Sequence, residues 1–198
     1  EQDAIIQAAA ADIYRTDILV VPGSGSVLGV VFHGDVLYAV RNNAGGTAAV
    51  FHKATAGGWV AVPYYYSVGF TAGAGTLADA ATLTQGANTA TVKRVVIESG
   101  DALAGTAAGR LIVTAPAPGS FVAGAATLSG GGTVTLSGAE AQITRPAGGK
   151  YQFVVDNFGG QLATRRVYGC DGVGLAFEFD GDVIVPIVTS TVPDTPVH

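Results

Sequence analysis

The residues able to do chemistry are few and scattered. His33, His52 and His198 are the histidines, the side chains that most readily act as bases near neutral pH. A hydrolase would need one of them beside a nucleophile and an acid. Ser24 and Ser26 lie in Gly23-Ser24-Gly25-Ser26, which has no strand-to-helix turn to strain a nucleophile into place. His33 falls in a turn beside Asp35, His52 in a strand-like run and His198 at the terminus, so none of the three reads as a catalytic base. Asp171, Glu178, Asp180 and Asp182 form the densest acidic cluster, and Ca²⁺ takes about six to eight such oxygens. Alternation, however, turns Glu178 away from its neighbours Phe177 and Phe179, and Asp180 and Asp182 flank Gly181 as hairpin-turn residues do. Turn chemistry is expected there, with no metal site. A two-carboxylate glycosidase is not expected either, since nothing in the sequence sets two carboxyl groups at the required separation.

Gly73-Ala74-Gly75-Thr76-Leu77-Ala78 meets the spacing of a dinucleotide fingerprint with Ala in the last place. That motif works only where a helix N-terminus follows and aims its amides at a pyrophosphate. Here the following residues are strand-like, so a β-turn is expected. Gly148-Gly149-Lys150 lacks the upstream spacing and the following Ser or Thr of a phosphate loop. The expectation is therefore no enzyme and no cofactor. Cys170 is the sole cysteine, which excludes an intrachain disulfide and a multi-cysteine zinc site, and it reads as a small core residue. The aromatic cluster of Trp59, Tyr64, Tyr65 and Tyr66 is the one surface candidate, since such rings stack on sugars and anchor interfaces. Alternation puts Tyr64 and Tyr66 on one face and Tyr65 on the other. Trp59, Tyr64 and Tyr66 are thus the candidate contact surface.

The elements that would carry these residues are almost all strands. Glu1 to Ile13 is the one helix candidate, with Glu1 and Asp3 ahead of the helix-favouring run Gln7 to Ala11. From Ile18 onward, short runs rich in Val, Ile, Thr, Phe and Tyr are broken by Gly, Asn, Asp and Pro, as in antiparallel sheets. Val27 to Phe32, Val36 to Arg41, Thr47 to Lys53 and Trp59 to Tyr65 form one four-stranded meander, with the wiring of a β-propeller blade. Tyr151 to Phe158, Arg165 to Tyr168, Leu175 to Phe179 and Asp182 to Val188 repeat that plan. Between them, Val68 to Arg145 is rich in Gly, Ala and Thr. Its strands are expected at Val68 to Thr71, Ala81 to Thr84, Thr89 to Glu98, Arg110 to Ala115, Ser120 to Val122, Ala126 to Leu128, Thr133 to Leu136 and Ala141 to Thr144. So many short hairpins must close on themselves, because an open sheet of that length leaves unpaired edges. The expected fold is all-β: blade-like meanders over residues 1–67 and 147–198, interrupted at 68–146 by a small β-barrel or sandwich. Two meanders cannot make a propeller of at least about four blades, so they must pack face to face as a sandwich or pair between copies.

Composition narrows the partners. Hydrophobic residues make up 48% of the 198 residues and charged ones 13%, against about 25% charged in an average soluble domain, so the chain folds and its surface is unusually neutral. A net charge of -5 argues against a sequence-independent grip on nucleic acid, which needs clustered Lys and Arg. The adjacent basic pairs Lys93-Arg94 and Arg165-Arg166 each lie inside a strand-like run, where an exposed charged face is expected. No stretch approaches the roughly 18 apolar residues of a membrane span, and the N-terminus lacks the basic start of a signal peptide. The chain holds no Met even at position 1, which points to a processed N-terminus or a piece of a longer polypeptide.

Residues 86 to 122, read as Gly-Ala-Asn-Thr-Ala-Thr-Val, Gly-Thr-Ala-Ala-Gly-Arg-Leu-Ile-Val and Pro-Gly-Ser-Phe, resemble a pattern in virion proteins of tailed bacteriophages. Arg165-Arg166-Val-Tyr-Gly-Cys-Asp-Gly-Val, followed by Phe177-Glu-Phe-Asp-Gly-Asp-Val and Pro186-Ile187, is similar to a later segment of the same kind of protein. The resemblance covers well under half of the chain. It implies a structural tail or neck component, located in the virion, whose partners are copies of itself and neighbouring subunits. The alternative from the residues alone is a carbohydrate-binding or adhesin-like domain that presents Trp59, Tyr64 and Tyr66 to a glycan.

Overall fold

The computed structural model describes residues 19–157 and 164–188 and is all-β. The helix expected over residues 1–13 lies outside the described residues. Four strands open the fold: β1 (Ser24–His33), β2 (Val36–Asn42), β3 (Ala49–Thr55) and β4 (Gly58–Ala61), antiparallel in the order β1-β2-β3-β4. The hairpin between β1 and β2 turns through Gly34 and Asp35, at φ 55° and 62°. Two successive positive φ values match the right-handed twist of the flanking strands, and Gly and Asp are both among the residues that tolerate them. The loop to β3 is held by Asn43, whose Oδ1 accepts the Thr47 amide at 2.8 Å.

Seven strands follow: β5 (Tyr66–Ala74), β6 (Thr82–Gln85), β7 (Asn88–Ser99), β8 (Ala107–Val113), β9 (Gly124–Leu128), β10 (Gly132–Leu136) and β11 (Ala141–Gln142). Their order is β10-β9-β6-β7-β8-β5-β11, and β10 also pairs with β5, so six of them close a barrel. The expected strand Ser120 to Val122 is not one. The chain there is a loop that carries Phe121 into the barrel core, with its amide donating to Glu140 Oε2 at 2.9 Å. Alternation explains the rest of the core. Gly132, Val134 and Leu136 of β10 are buried while Thr133 and Thr135 are exposed, and the buried set meets Val68, Phe70, Leu83, Val92, Leu111 and Val113. After the interruption at 137–140, β11 continues along β5, where Ala141 faces Ser67.

The last strands are β12 (Gln152–Asp156), β13 (Arg166–Cys170), β14 (Phe177–Phe179) and β15 (Ile184–Pro186), in the order β12-β13-β14-β15. Two compact units result. The first takes described residues 19–62, 145–157, 164–181 and 187–188, and the second takes 63–144 and 182–186. Each has its own core.

In the first unit the two meanders pack face to face around Phe51 of β3. Its ring lies 5.4 to 5.7 Å from those of Phe179, Phe177 and Tyr151 and 6.3 Å from that of Phe153, mostly edge to face. Tyr38 of β2 meets Phe179 at 4.9 Å. Edge-to-face geometry places the positive ring edge on a negative face, and each such pair contributes about 0.5–1.5 kcal/mol beyond area burial. In the second unit, residues 182–186 are tied to the barrel by side chains. Asp182 accepts from Tyr65 at 3.0 Å and from Lys93 at 2.7 Å, and Arg110 donates to the Pro186 carbonyl at 3.0 Å.

Candidate interaction surface

The residues singled out from the sequence are divided between the two units. Trp59 sits on β4 of the first unit, half-buried, with its indole N–H donating to the Leu19 carbonyl at 2.8 Å. Tyr64 and Tyr66 belong to the second unit, Tyr66 as the first residue of β5 opposite Val113 and Gln142. The run Trp59 to Tyr65 is not one strand: β4 stops at Ala61 and residues 62–65 are extended loop, so alternation does not govern Tyr64 and Tyr65. Tyr65 is half-buried, and burial, opposed by the Lys93 contact and reinforced by Asp182, raises its pKa above 10.0.

Several of the charged candidates brace the fold. Among the described residues, Arg94 pairs with Asp79 at 3.3 Å, Arg110 with Glu98 at 2.7 Å and Arg166 with Glu178 at 3.1 Å. Asp171 is the exception in depth. Its side chain is fully buried against Arg145, whose guanidinium stacks over Phe177 at 4.5 Å and also donates to the Leu175 carbonyl. The other Asp171 oxygen accepts the amides of Val173 at 3.0 Å and Gly174 at 2.7 Å. Burial opposes ionisation here, but the Gly174 and Val173 amides and Arg145 outweigh it and hold the carboxyl below 3.8. Tyr151, next to this pair, is pushed up to about 12 by burial. The pair closes the loop between β13 and β14. Nothing in the local pattern marked Arg145 for this role, since its partner lies 26 residues away.

Cys170 is exposed at the end of β13, not in the core: Tyr168 and Cys170 share one side of the strand while Val167 and Gly169 take the buried one. Gly73 and Gly75 form the end of β5 and the turn after it, where the Gly75 amide donates to the Ala102 carbonyl at 3.1 Å. His33 contacts the Asp180 carbonyl through Nε2 at 3.1 Å. His52 is 5% exposed, and its Nδ1 has no hydrogen-bond partner.

The surface that stands out lies on β1. Val31 points into the first unit, and Gly29 lies against Tyr151, so close that a Cβ there would sit 2.6 Å from the Tyr151 Cβ. Alternation therefore turns Val30 and Phe32 outward, and they are 58% and 66% exposed. Pairing carries the row from Val30 to Ala39, His52 and Ala61, but Ala39 and His52 are buried, so the exposed apolar patch is confined to Val30 and Phe32 on β1. β1 is also the edge of its sheet. Beyond its partner β2, the Leu28 carbonyl accepts the Tyr151 amide at 3.0 Å. Sequence reasoning recognised this strand and missed its position, which depends on what packs behind Gly29.

Comparison with known proteins returns no match to a family model, a curated protein or a solved structure.

Proposed function

We propose that this chain is a non-enzymatic structural module of a tailed-phage virion, which works by packing against copies of itself and neighbouring subunits. The observation that carries this reading is the edge strand β1, which turns Val30 and Phe32 outward at more than half exposure. Exposed apolar edge strands invite pairing, and soluble proteins usually blunt them with charge or proline. β1 has neither. The ion pairs Lys93–Asp182, Arg94–Asp79, Arg110–Glu98, Arg145–Asp171 and Arg166–Glu178 support the same reading, because they brace strands and turns. The residue patterns at 86–122 and 165–187 are the support for the virion setting.

An antibody against the chain, gold-labelled and applied to particles from the source culture, tests the setting. Label on tails or necks is expected. Label confined to particle-free protein overturns it.

A further inference from the structure

We infer that residues 19–23 form a strap across the outer face of the first sheet, and that His52 beneath it makes the strap let go in mild acid. The inference goes beyond the assembly reading and holds whether or not the chain belongs to a virion.

The face follows from the register. Ala39, His52 and Ala61 lie opposite one another on β2, β3 and β4, as do Arg41 with Val50 and Ala54 with Trp59. Residues two apart on a strand share a face, so these seven side chains lie together, on the side away from Phe51 and the aromatic core. Arg41 and Trp59 then stand at diagonal corners with His52 between them. From one corner the Trp59 indole N–H donates to the Leu19 carbonyl at 2.8 Å, and from the other the Arg41 guanidinium donates to the Val21 carbonyl at 2.5 Å. The chain between those two carbonyls must cross above His52. Burial agrees with this path. Leu19 and Val20 are more than half exposed, whereas Val21 is buried. Such a cover also explains why Ala39 and His52 are buried on a face whose rim, at Val30, is open.

The cover is apolar, and that makes it sensitive to acid. Leu19, Val20, Val21, Pro22 and Gly23 carry no ionisable side chain, and neither do Ala39, Val50, Ala54, Trp59 and Ala61, or Val30 and Phe32 of β1. Among the described residues on this face, the charged neighbour of His52 is Arg41, a second cation. His52 Nδ1 has no hydrogen-bond partner among them. Protonation therefore buries a positive charge beside another one, with no carboxylate to neutralise it. Opening the strap hydrates the imidazolium and gives up two hydrogen bonds at its ends, whereas global unfolding would lose the aromatic core as well. Local opening needs less free energy and comes first. While the strap is closed, burial, opposed by the Val50 carbonyl and helped by Arg41, holds His52 below 6.5. The open form takes up the proton more readily, so opening is favoured as the pH falls below 6.5. One proton limits the steepness, and the ratio of open to closed strap rises by at most about tenfold per pH unit.

Trp59 is the single tryptophan, so its fluorescence reads the strap directly. Acrylamide quenching of the full chain is expected to rise between pH 7 and pH 5 while circular dichroism stays constant. In a Cys170→Ser background, the thiol introduced by Val21→Cys is expected to label faster at pH 5 than at pH 7, against the trend of thiolate chemistry, which slows in acid. H52L is expected to abolish both changes. V21A keeps His52 and thins its cover, so it is expected to move the quenching transition to higher pH. Quenching and labelling that stay level from pH 7 to pH 5 overturn the inference, as does a rise that persists in H52L. Circular dichroism lost in step with the quenching change also overturns it, because the whole unit would then be opening.

Discussion

At the scale of single residues, Arg145 and Asp171 show how charge is used in this molecule. Both side chains are almost wholly removed from water, so each is tolerated only because the other neutralises it. Removing one partner strands the other, and R145M or D171N is expected to cost about 3–5 kcal/mol in urea denaturation. The double replacement should cost less than the sum of the single ones, because it strands no charge. Titration gives this pair and His52 separate windows. Asp171 has a folded pKa below 3.8, so its contribution is complete above that value and is lost as the pH falls through the lower, folded one. His52 is held below 6.5 by burial, against a hydrogen bond its ring donates to the Val50 backbone carbonyl and helped by Arg41. The folded state thus resists its protonation, and stability falls as the pH drops below 6.5. H52L is expected to flatten the melting temperature between pH 7 and pH 5 while leaving the fall below pH 4, and an unchanged slope in H52L would refute the assignment.

At the scale of elements, glycine sets how closely strands and rings approach. Gly169 of β13 pairs with Phe153 on one side and Phe177 on the other, and a Cβ there would lie 2.4 Å from the Phe177 ring. G169A must push that ring from its place beside Phe51 and Arg145. A loss of about 1–3 kcal/mol is expected, the usual cost of overpacking, measured as a lower urea midpoint at constant slope. In the barrel, a Cβ on Gly109 would lie 2.0 Å from the Val96 carbonyl, where the β7–β8 register shifts between Ile97 and Ser99. The obstacle at Gly109 is backbone, which cannot rotate away as a ring can. G109A is therefore expected to be the more damaging of the two.

At the scale of the whole molecule, two cores on one chain predict two stabilities. F51A empties the centre of the aromatic core and should cost about 3–5 kcal/mol, and L111A should cost about 2–5 kcal/mol in the barrel. Calorimetry is expected to show two transitions, F51A lowering one and L111A the other. Joint movement of both would mean that the units unfold as one.

Much of this architecture was legible in the residues. Alternation of Val, Thr and Leu, broken by Gly-containing turns, points to all-β meanders around a small barrel or sandwich, because strand period and turn conformation are local properties. The hairpin at Gly34-Asp35 could be read directly, and the strand expected at Thr133 to Leu136 is present as Gly132–Leu136. The errors fall where a distant neighbour decides. Ser120 to Val122 has a strand's composition, yet Phe121 gains more from filling the barrel core than from pairing. Cys170 is small and apolar, yet the side of β13 it occupies faces solvent. Arg145 becomes a core residue only because Asp171 and two aromatic rings meet it. Which strand stays at an edge, which side of it is open and which charges may be buried all depend on surfaces brought together from far apart in the chain. Those were decided by the tertiary structure alone, since pattern records the period of a strand and not what packs against it.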